Sequence, residues 1–211
     1  MFRALLLILE PVATWEKIFL ARRSLVFVLV VYLLPLLLIT SAGEAYGLIH
    51  WGKPRGEMVE VAKVKPFSRS ETVIFESVQL LLSLVVVLAG TKMLKAIGET
   101  FHGRHTYTQA FTAVAYGLSP LFLLRLFDAF KGVNPWVTWS IGIILSIAVL
   151  YHGVPRMMEP DPSHAFGLFL ISSLLLMLVT GIVRFVTWWY LMGKWSQLDA
   201  FVSDLAARLP F

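Results

Sequence analysis

Five ionisable residues fall within long apolar stretches of the chain: Glu44, Glu76, Arg125, Asp128 and Arg184. Charge is costly in hydrocarbon, so such a residue marks an ion or substrate path, a buried pair, or a side chain long enough to reach the headgroups. Glu44 and Glu76 lie near the ends of their stretches, and Arg125 and Asp128 stand three residues apart. That spacing favours interfacial positions and a local i,i+3 pair. Arg184, about a turn and a half before Trp189, reaches the interface in the same way. The alternative puts Arg184 with Ser173, Thr180 and Thr187 on one helix face, lining a polar interhelical seam with Glu76 and Gln79. Such a seam can hold a lipid headgroup or couple to a proton.

A second set of polar residues has ligand chemistry. Glu99, His102 and His105 form an E-x-x-H-x-x-H run at helical spacing, and His152 and His164 are expected at the same membrane face. Convergent imidazoles and carboxylates are what a transition metal needs. Against a metal stand Gly98 and Gly103, which loosen a helix there, and the absence of H-E-x-x-H. No metal or other cofactor is therefore expected. A phosphate-cradling glycine loop, G-x-S-x-G and paired carboxylates beside a plausible cleft are also absent from the sequence, which gives no support for an enzyme. Without cysteine there is no disulfide, thiolate site or cysteine nucleophile.

The elements that position these residues follow from composition. Of 211 residues, 58% are hydrophobic and 15% charged, against about 25% charged in an average soluble domain. The apolar residues are gathered into near-continuous runs long enough to cross about 30 Å of hydrocarbon, which predicts helices, since barrels alternate over about ten residues. The fold class is all-α: a polytopic membrane protein of five transmembrane helices with N- and C-terminal interfacial amphipathic helices. Residues 1–23 form the first interfacial helix, with Pro11 in a first turn and Trp15 as an anchor. Its apolar run, broken by Glu10 and Pro11, is too short for a cleaved signal and is expected to be retained. The transmembrane domain covers 24–192, with spans at about 24–49, 73–94, 110–130, 136–151 and 165–192 and a polar outer loop over 50–72. Val59, Val61 and Val64 in that loop suit a short strand.

Lys95, His102, Arg104 and His105 belong to a short basic connector with Lys92 at its edge, and His152 to His164 to a proline-rich one that cannot be helical throughout. Pro35 and Pro120 should kink the first and third spans by freeing the carbonyls of Val31 and Tyr116, with Ser119 relieving the second. In the second span Glu76, Gln79, Ser83 and Gly90 make a stripe that should face other helices. Trp188, Trp189 and Trp195 mark a headgroup boundary, and 193–211 form an amphipathic tail. Arg22 and Arg23 before the first span argue for a cytoplasmic N-terminus, although the basic residues outside the spans, these two included, divide evenly between the two sides. The formal charge of +5 sits mostly beside spans, where it meets membrane lipids, and no nucleic-acid partner is indicated.

Three short motifs carry a resemblance. Leu9-Glu10-Pro11-Val12-Ala13-Thr14-Trp15-Glu16-Lys17-Ile18 opens the chain; Thr106-Tyr107-Thr108-Gln109-Ala110-Phe111 leads to Ala115-Tyr116-Gly117-Leu118-Ser119-Pro120; and Tyr151-His152-Gly153-Val154-Pro155 follows. Their order resembles the Yip (Ypt-interacting protein) family over nearly the whole chain, and within it the prokaryotic members. The resemblance implies a five-helix membrane domain with a cytoplasmic N-terminus. In eukaryotic relatives it implies a vesicle-trafficking role through small GTPases and other family members. The long N-terminal region and the Asp-Leu-Tyr-Gly-Pro motif of those relatives are not part of this sequence, so architecture transfers further than GTPase binding.

The expected function is a non-enzymatic membrane scaffold or adaptor, working with a membrane-protein partner or as a homo-oligomer, in a bacterial inner membrane. Glu76, Gln79, Tyr116, Pro120, Arg125, Asp128 and Arg184 are its candidate seam or binding residues. Two alternatives are a lipid or small-solute transporter using that seam and a metal-dependent membrane enzyme using His102 and His105.

Overall fold

A computed structural model describes residues 2–55, 63–65, 67–130, 133–191, 200, 204 and 207–208. Two short helices, α1 (Phe2–Leu9) and α2 (Pro11–Ala21), precede five long ones: α3 (Leu25–His50), α4 (Arg69–Thr100), α5 (Tyr107–Ala129), α6 (Pro135–Met158) and α7 (Ala165–Leu191). All five are long and apolar enough to cross a membrane. Successive spans run in opposite directions, so the bundle has one end where α3 begins and an opposite end where α3 finishes.

The sequence explains the breaks. Pro11 starts α2 because its missing N–H belongs to the unpaired first turn, and Glu10 does not continue α1 into it. Ser68 and Glu71 form a capping box at the head of α4, and Thr106 and Gln109 form another at the head of α5. Pro35 is accommodated by a π-helical stretch, Val28–Leu33, in which the Leu34 N–H reaches back to Leu29 O. At Pro120 the helix breaks after Gly117, and the Ser119 hydroxyl donates to the freed carbonyl of Tyr116 at 2.6 Å.

Several spans exceed their expected bounds. The helix α4 runs on to Thr100, so Lys92 and Lys95 are helical and not in a connector. Its 32 residues make about 48 Å of helix at 1.5 Å per residue, well beyond about 30 Å of hydrocarbon. The polar last turns, where Lys95 pairs with Glu99 at 3.0 Å, thus suit the space beyond it. The fourth span is not short either: α6 continues through Pro155 to Met158, because one missing N–H near a helix end is cheaper than ending the packing of Val154, Met157 and Met158. Only 159–164 of the following connector is non-helical. In the outer loop Lys53–Arg55 and Lys63–Lys65 pair as antiparallel strands, with Pro54 opposite Val64; Val59 and Val61 lie outside the described residues.

The third span is the centre of the bundle. Its apolar window is 72% buried, against 33–44% for the other four, and every residue from Phe111 to Pro120 is buried. Lipid offers no hydrophobic gain for helix association, so close packing of small residues has to supply the contact. Gly117 admits Leu150, Gly142 admits Leu121, and Gly90 admits Leu176.

The N-terminal pair α1–α2 is part of this core. Ala4, Leu7, Trp15 and Ile18 belong to the buried set, whereas Val12 is exposed. Trp15 is no headgroup anchor: its ring is 1% exposed, lies on Gly153, where a Cβ would collide with it, and donates Nε1–H to Val149 O at 2.9 Å. Of the other expected anchors, Trp188 packs edge-to-face on Trp136 and Trp189 is exposed, both at the opposite end, while Trp195 lies outside the described residues. So does most of the 193–211 tail; in it Asp204 and Arg208 pair at 2.8 Å, the i,i+4 spacing of a helix.

Candidate functional site

The five charged residues of the apolar stretches meet in one place, about two turns in from the opposite end. Local geometry brings them there. The last turn of α5, Arg125–Ala129, is a 3-10 helix, in which residues three apart stand one above the other. Arg125 and Asp128 therefore share the inward face. Facing them, Gly43 and Gly47 flank Glu44 on α3, and a side chain at Gly47 would run into the backbone of Ala129. That close approach sets Glu44 Oε2 at 2.6 Å from Arg125 Nε.

Arg125 also donates through Nη2 to Glu76 on α4 at 2.5 Å. Its guanidinium thus ties three helices, with side chains only 11% exposed for Arg125, 2% for Glu44 and 9% for Glu76. Asp128 makes a second centre: Arg184 of α7 reaches it at 2.9 Å, and the Thr138 hydroxyl of α6 donates to it at 2.5 Å. Gln79 Nε2 donates to Thr187 Oγ1 at 3.1 Å, closing α4 onto α7. The network thus spans all five long helices.

These contacts replace the local readings. Glu44 and Glu76 turn inward to Arg125, Arg184 turns inward to Asp128, and Arg125 and Asp128 each bond to other helices. Gln79, Thr180, Thr187 and Arg184 line one cavity, Glu76 bonds Arg125 beside it, Arg184 bonds Asp128, and Ser173 is buried on the same helix as Arg184. Glu44 and Thr138 complete the network. The sequence singled out Glu44 as a charge in an apolar stretch without naming its partner, and nothing within four residues of Thr138 signals its role.

Tyr116 and Pro120 do not belong to this seam. Tyr116 stacks on Tyr32 at 3.9 Å, meets the Trp15 ring edge at 6.2 Å and accepts a hydrogen bond from Arg3 at 3.3 Å, all toward the end where α3 begins. Pro120 is buried at the break in mid-bundle.

Glu99, His102 and His105 do not converge on one point either. The chain leaves α4 through a Schellman turn: the His102 N–H bonds to Glu99 O and the Gly103 N–H to Gly98 O. His102 occupies the left-handed position at φ 55° and departs from the helical register of Glu99. His105 Nε2 lies 3.2 Å from Lys95 O. The turn instead carries His102 to Asp161 and His164 in the α6–α7 connector, with one ligand atom from each within 4.8 Å of the others. These exposed three are the set among the described residues with metal-ligand chemistry.

A cavity of about 70 Å³ lies beside the ion network, and Gln79, Asp128, Thr180 and Arg184 contribute to its wall. Arg125 Nη1 and Trp139 Nε1, both buried, also belong to wall residues and have no hydrogen-bond partner among the described residues. The space holds a few water molecules at most, and water would satisfy both donors.

Over residues 5–183 the chain matches the family model described as Yip1 domain. The chain belongs to the Yip1 family. It is accordingly a multi-pass membrane protein of the Yip type, with the five helices that the family resemblance implied. No curated protein and no solved structure matches it. The family match takes in every residue of the ion network from Glu44 to Asp128, and stops at Val183, directly before Arg184.

Proposed function

We propose that this Yip1-family chain is a non-enzymatic membrane scaffold that acts by associating with other membrane proteins. The observation behind this reading is the pairing of its membrane-embedded charges with one another. Arg125 with Glu44 and Glu76, and Arg184 with Asp128, bind the spans to one another, so the charges serve the rigidity of the bundle and not a reaction. The outer faces remain broad and apolar, as at Leu81 and Val85 on α4 and Leu178 and Ile182 on α7. Such faces associate through packing with other helices. The N-terminus is assigned to the cytoplasmic side, with Arg22 and Arg23, and the membrane to a bacterial inner membrane.

Photo-crosslinkers at Leu81, Val85, Leu178 and Ile182, activated in native membranes, test the scaffold reading. It expects one face to give a discrete adduct with a second copy or a single membrane protein, and the other face to give lipid adducts. Lipid adducts alone from all four positions would overturn it.

The transport alternative has the cavity beside Arg125 in its favour. At about 70 Å³ it suits water or a proton and is far below the several hundred Å³ of ordinary ligand pockets. Reconstituted vesicles carrying Arg184→Leu or Glu76→Gln test it: proton flux equal to that of the unaltered chain ends this reading.

A further inference from the structure

The end where α3 begins holds a second, larger cavity, of about 400 Å³, between the N-terminal helices and the start of α5. Three arginines converge on it: Arg3 from α1, and Arg22 and Arg23 from the corner between α2 and α3. One carboxylate, Glu159, faces them. We propose that this cavity binds an anionic phosphate group, supplied by a phospholipid headgroup or by free phosphate.

The arginines are arranged for an external anion. Arg3 donates to the Tyr116 hydroxyl at 3.3 Å, and the Arg23 guanidinium stands over the Phe27 ring at 4.6 Å. Among the described residues none of the three has a carboxylate within ion-pair distance. This is the reverse of the far network, where each guanidinium is matched within the chain. Arg22 sits in the left-handed region, at φ 39°, a position where glycine is the unstrained choice. A side chain there bears a conformational cost that an arginine facing a basic cavity can return through an anion.

The rest of the wall fits the same chemistry. Thr108, Gln109 and Thr112 bring neutral polar groups from the first turns of α5. The eleven-residue segment Tyr107–Gly117 begins there, adding the positive end of its dipole to the arginines. Phe19, Val28 and Met157 make an apolar side, and Leu20 and Val26, near the lining residues Phe19 and Val28 in sequence, are exposed, an apolar surface of the kind a glycerol and acyl chains would follow. The volume lies within the usual range for small-molecule sites, about 300–1,000 Å³. Guanidinium pairs with phosphate by forked hydrogen bonds, so three of them favour a phosphate oxygen cluster over a single carboxylate.

The test uses the purified full chain in a neutral detergent, titrated with short-chain phosphatidylglycerol, short-chain phosphatidylcholine and inorganic phosphate at constant ionic strength. Thermal shift gives the affinity and native mass spectrometry the stoichiometry. Phosphatidylglycerol should bind at one per chain, and Arg22→Gln with Arg23→Gln should weaken it by about tenfold or more per arginine. Lys17→Gln with Arg104→Gln removes two exposed basic residues of the same end that do not line the cavity, and should change affinity less than twofold. Phosphatidylglycerol binding far above that of inorganic phosphate identifies a lipid as the source; equal binding, lost in the Arg22/Arg23 variant, identifies free phosphate. No saturable binding of either, or equal losses in both pairs of variants, would overturn the proposal.

Discussion

Arg125 is where the structure makes its sharpest energetic claim. Arg125→Met keeps most of the aliphatic stem and removes the cation from between Glu44 and Glu76, whose side chains are 2% and 9% exposed. Breaking a buried pair from one side costs about 3–5 kcal/mol, because the remaining charge stays buried. A chain of this size loses about 2–4 °C per kcal/mol, so the melting temperature should fall by about 6–20 °C. The double variant Glu44→Gln with Glu76→Gln leaves Arg125 without these two partners and should lose a comparable amount. Removing all three charges together eliminates the uncompensated burial, so the triple variant should be more stable than the sum of the losses by about 2–3 kcal/mol. The fluorescence of the seven tryptophans reports unfolding in mild detergent. Losses that add to within about 0.5 kcal/mol would refute the three-helix tie, since independent sites behave that way.

Other outcomes follow from the same coordinates. Gly153→Leu drives a side chain into the Trp15 ring and should destabilise the chain by at least about 1–3 kcal/mol, the usual cost of overpacking; thermal unfolding and the Trp15 emission maximum check it, using Trp15→Phe to isolate that signal. Among the described residues His102, Asp161 and His164 stand close enough together to share a Zn²⁺ or Ni²⁺ ion, so in calorimetric titrations His102→Ala should weaken any binding at this set and His105→Ala should leave it unchanged. The chain has no cysteine, so single cysteines at Asn134 and Ser163, both exposed and at opposite ends of the bundle, should be labelled by an impermeant maleimide from opposite sides of sealed vesicles; labelling from the same side would refute the five-span topology.

The spans were legible because runs of apolar residues that long have one physical outcome in lipid. Their limits were less so. Lys92 and Lys95 read as a connector by charge, yet a helix emerging from hydrocarbon keeps its hydrogen bonds and carries such residues on its exposed turns. Pro155 counted toward a proline-rich connector, although a proline near a helix end costs little when the following turn is packed. Trp15 read as an anchor because a tryptophan beside a span usually is one; its burial depends on Gly153, 138 residues away by numbering, which makes room for the ring. The polar stripe of α4 predicted which face turns inward, and Glu76, Gln79 and Gly90 are buried as expected. It did not name the partners. Arg125 lies 81 residues from Glu44 and 49 from Glu76, and Arg184 lies 56 from Asp128, whereas periodicity carries information over a few turns only.

The two ends of the bundle handle charge in opposite ways, and this sets where a ligand can act. A ligand entering the far network must displace Arg125 or Arg184 from a carboxylate already within 3 Å, so it gains one ionic contact by giving up another in a medium that leaves no charge unsatisfied without penalty. An anion entering between Arg3, Arg22 and Arg23 displaces no carboxylate and meets, at most, the neutral contacts of Arg3 with Tyr116 and of Arg23 with Phe27. The first arrangement stores stability and the second keeps affinity available, and the residues of the two sets do not overlap. The functions should therefore separate: Arg125→Met lowers the melting temperature and leaves phosphatidylglycerol affinity intact in the protein that remains folded, while Arg22→Gln with Arg23→Gln does the reverse. A variant at either end that changed both quantities together would mean that the ends are coupled through α5, the span that contributes Thr112 and Tyr116 to one and Arg125 and Asp128 to the other.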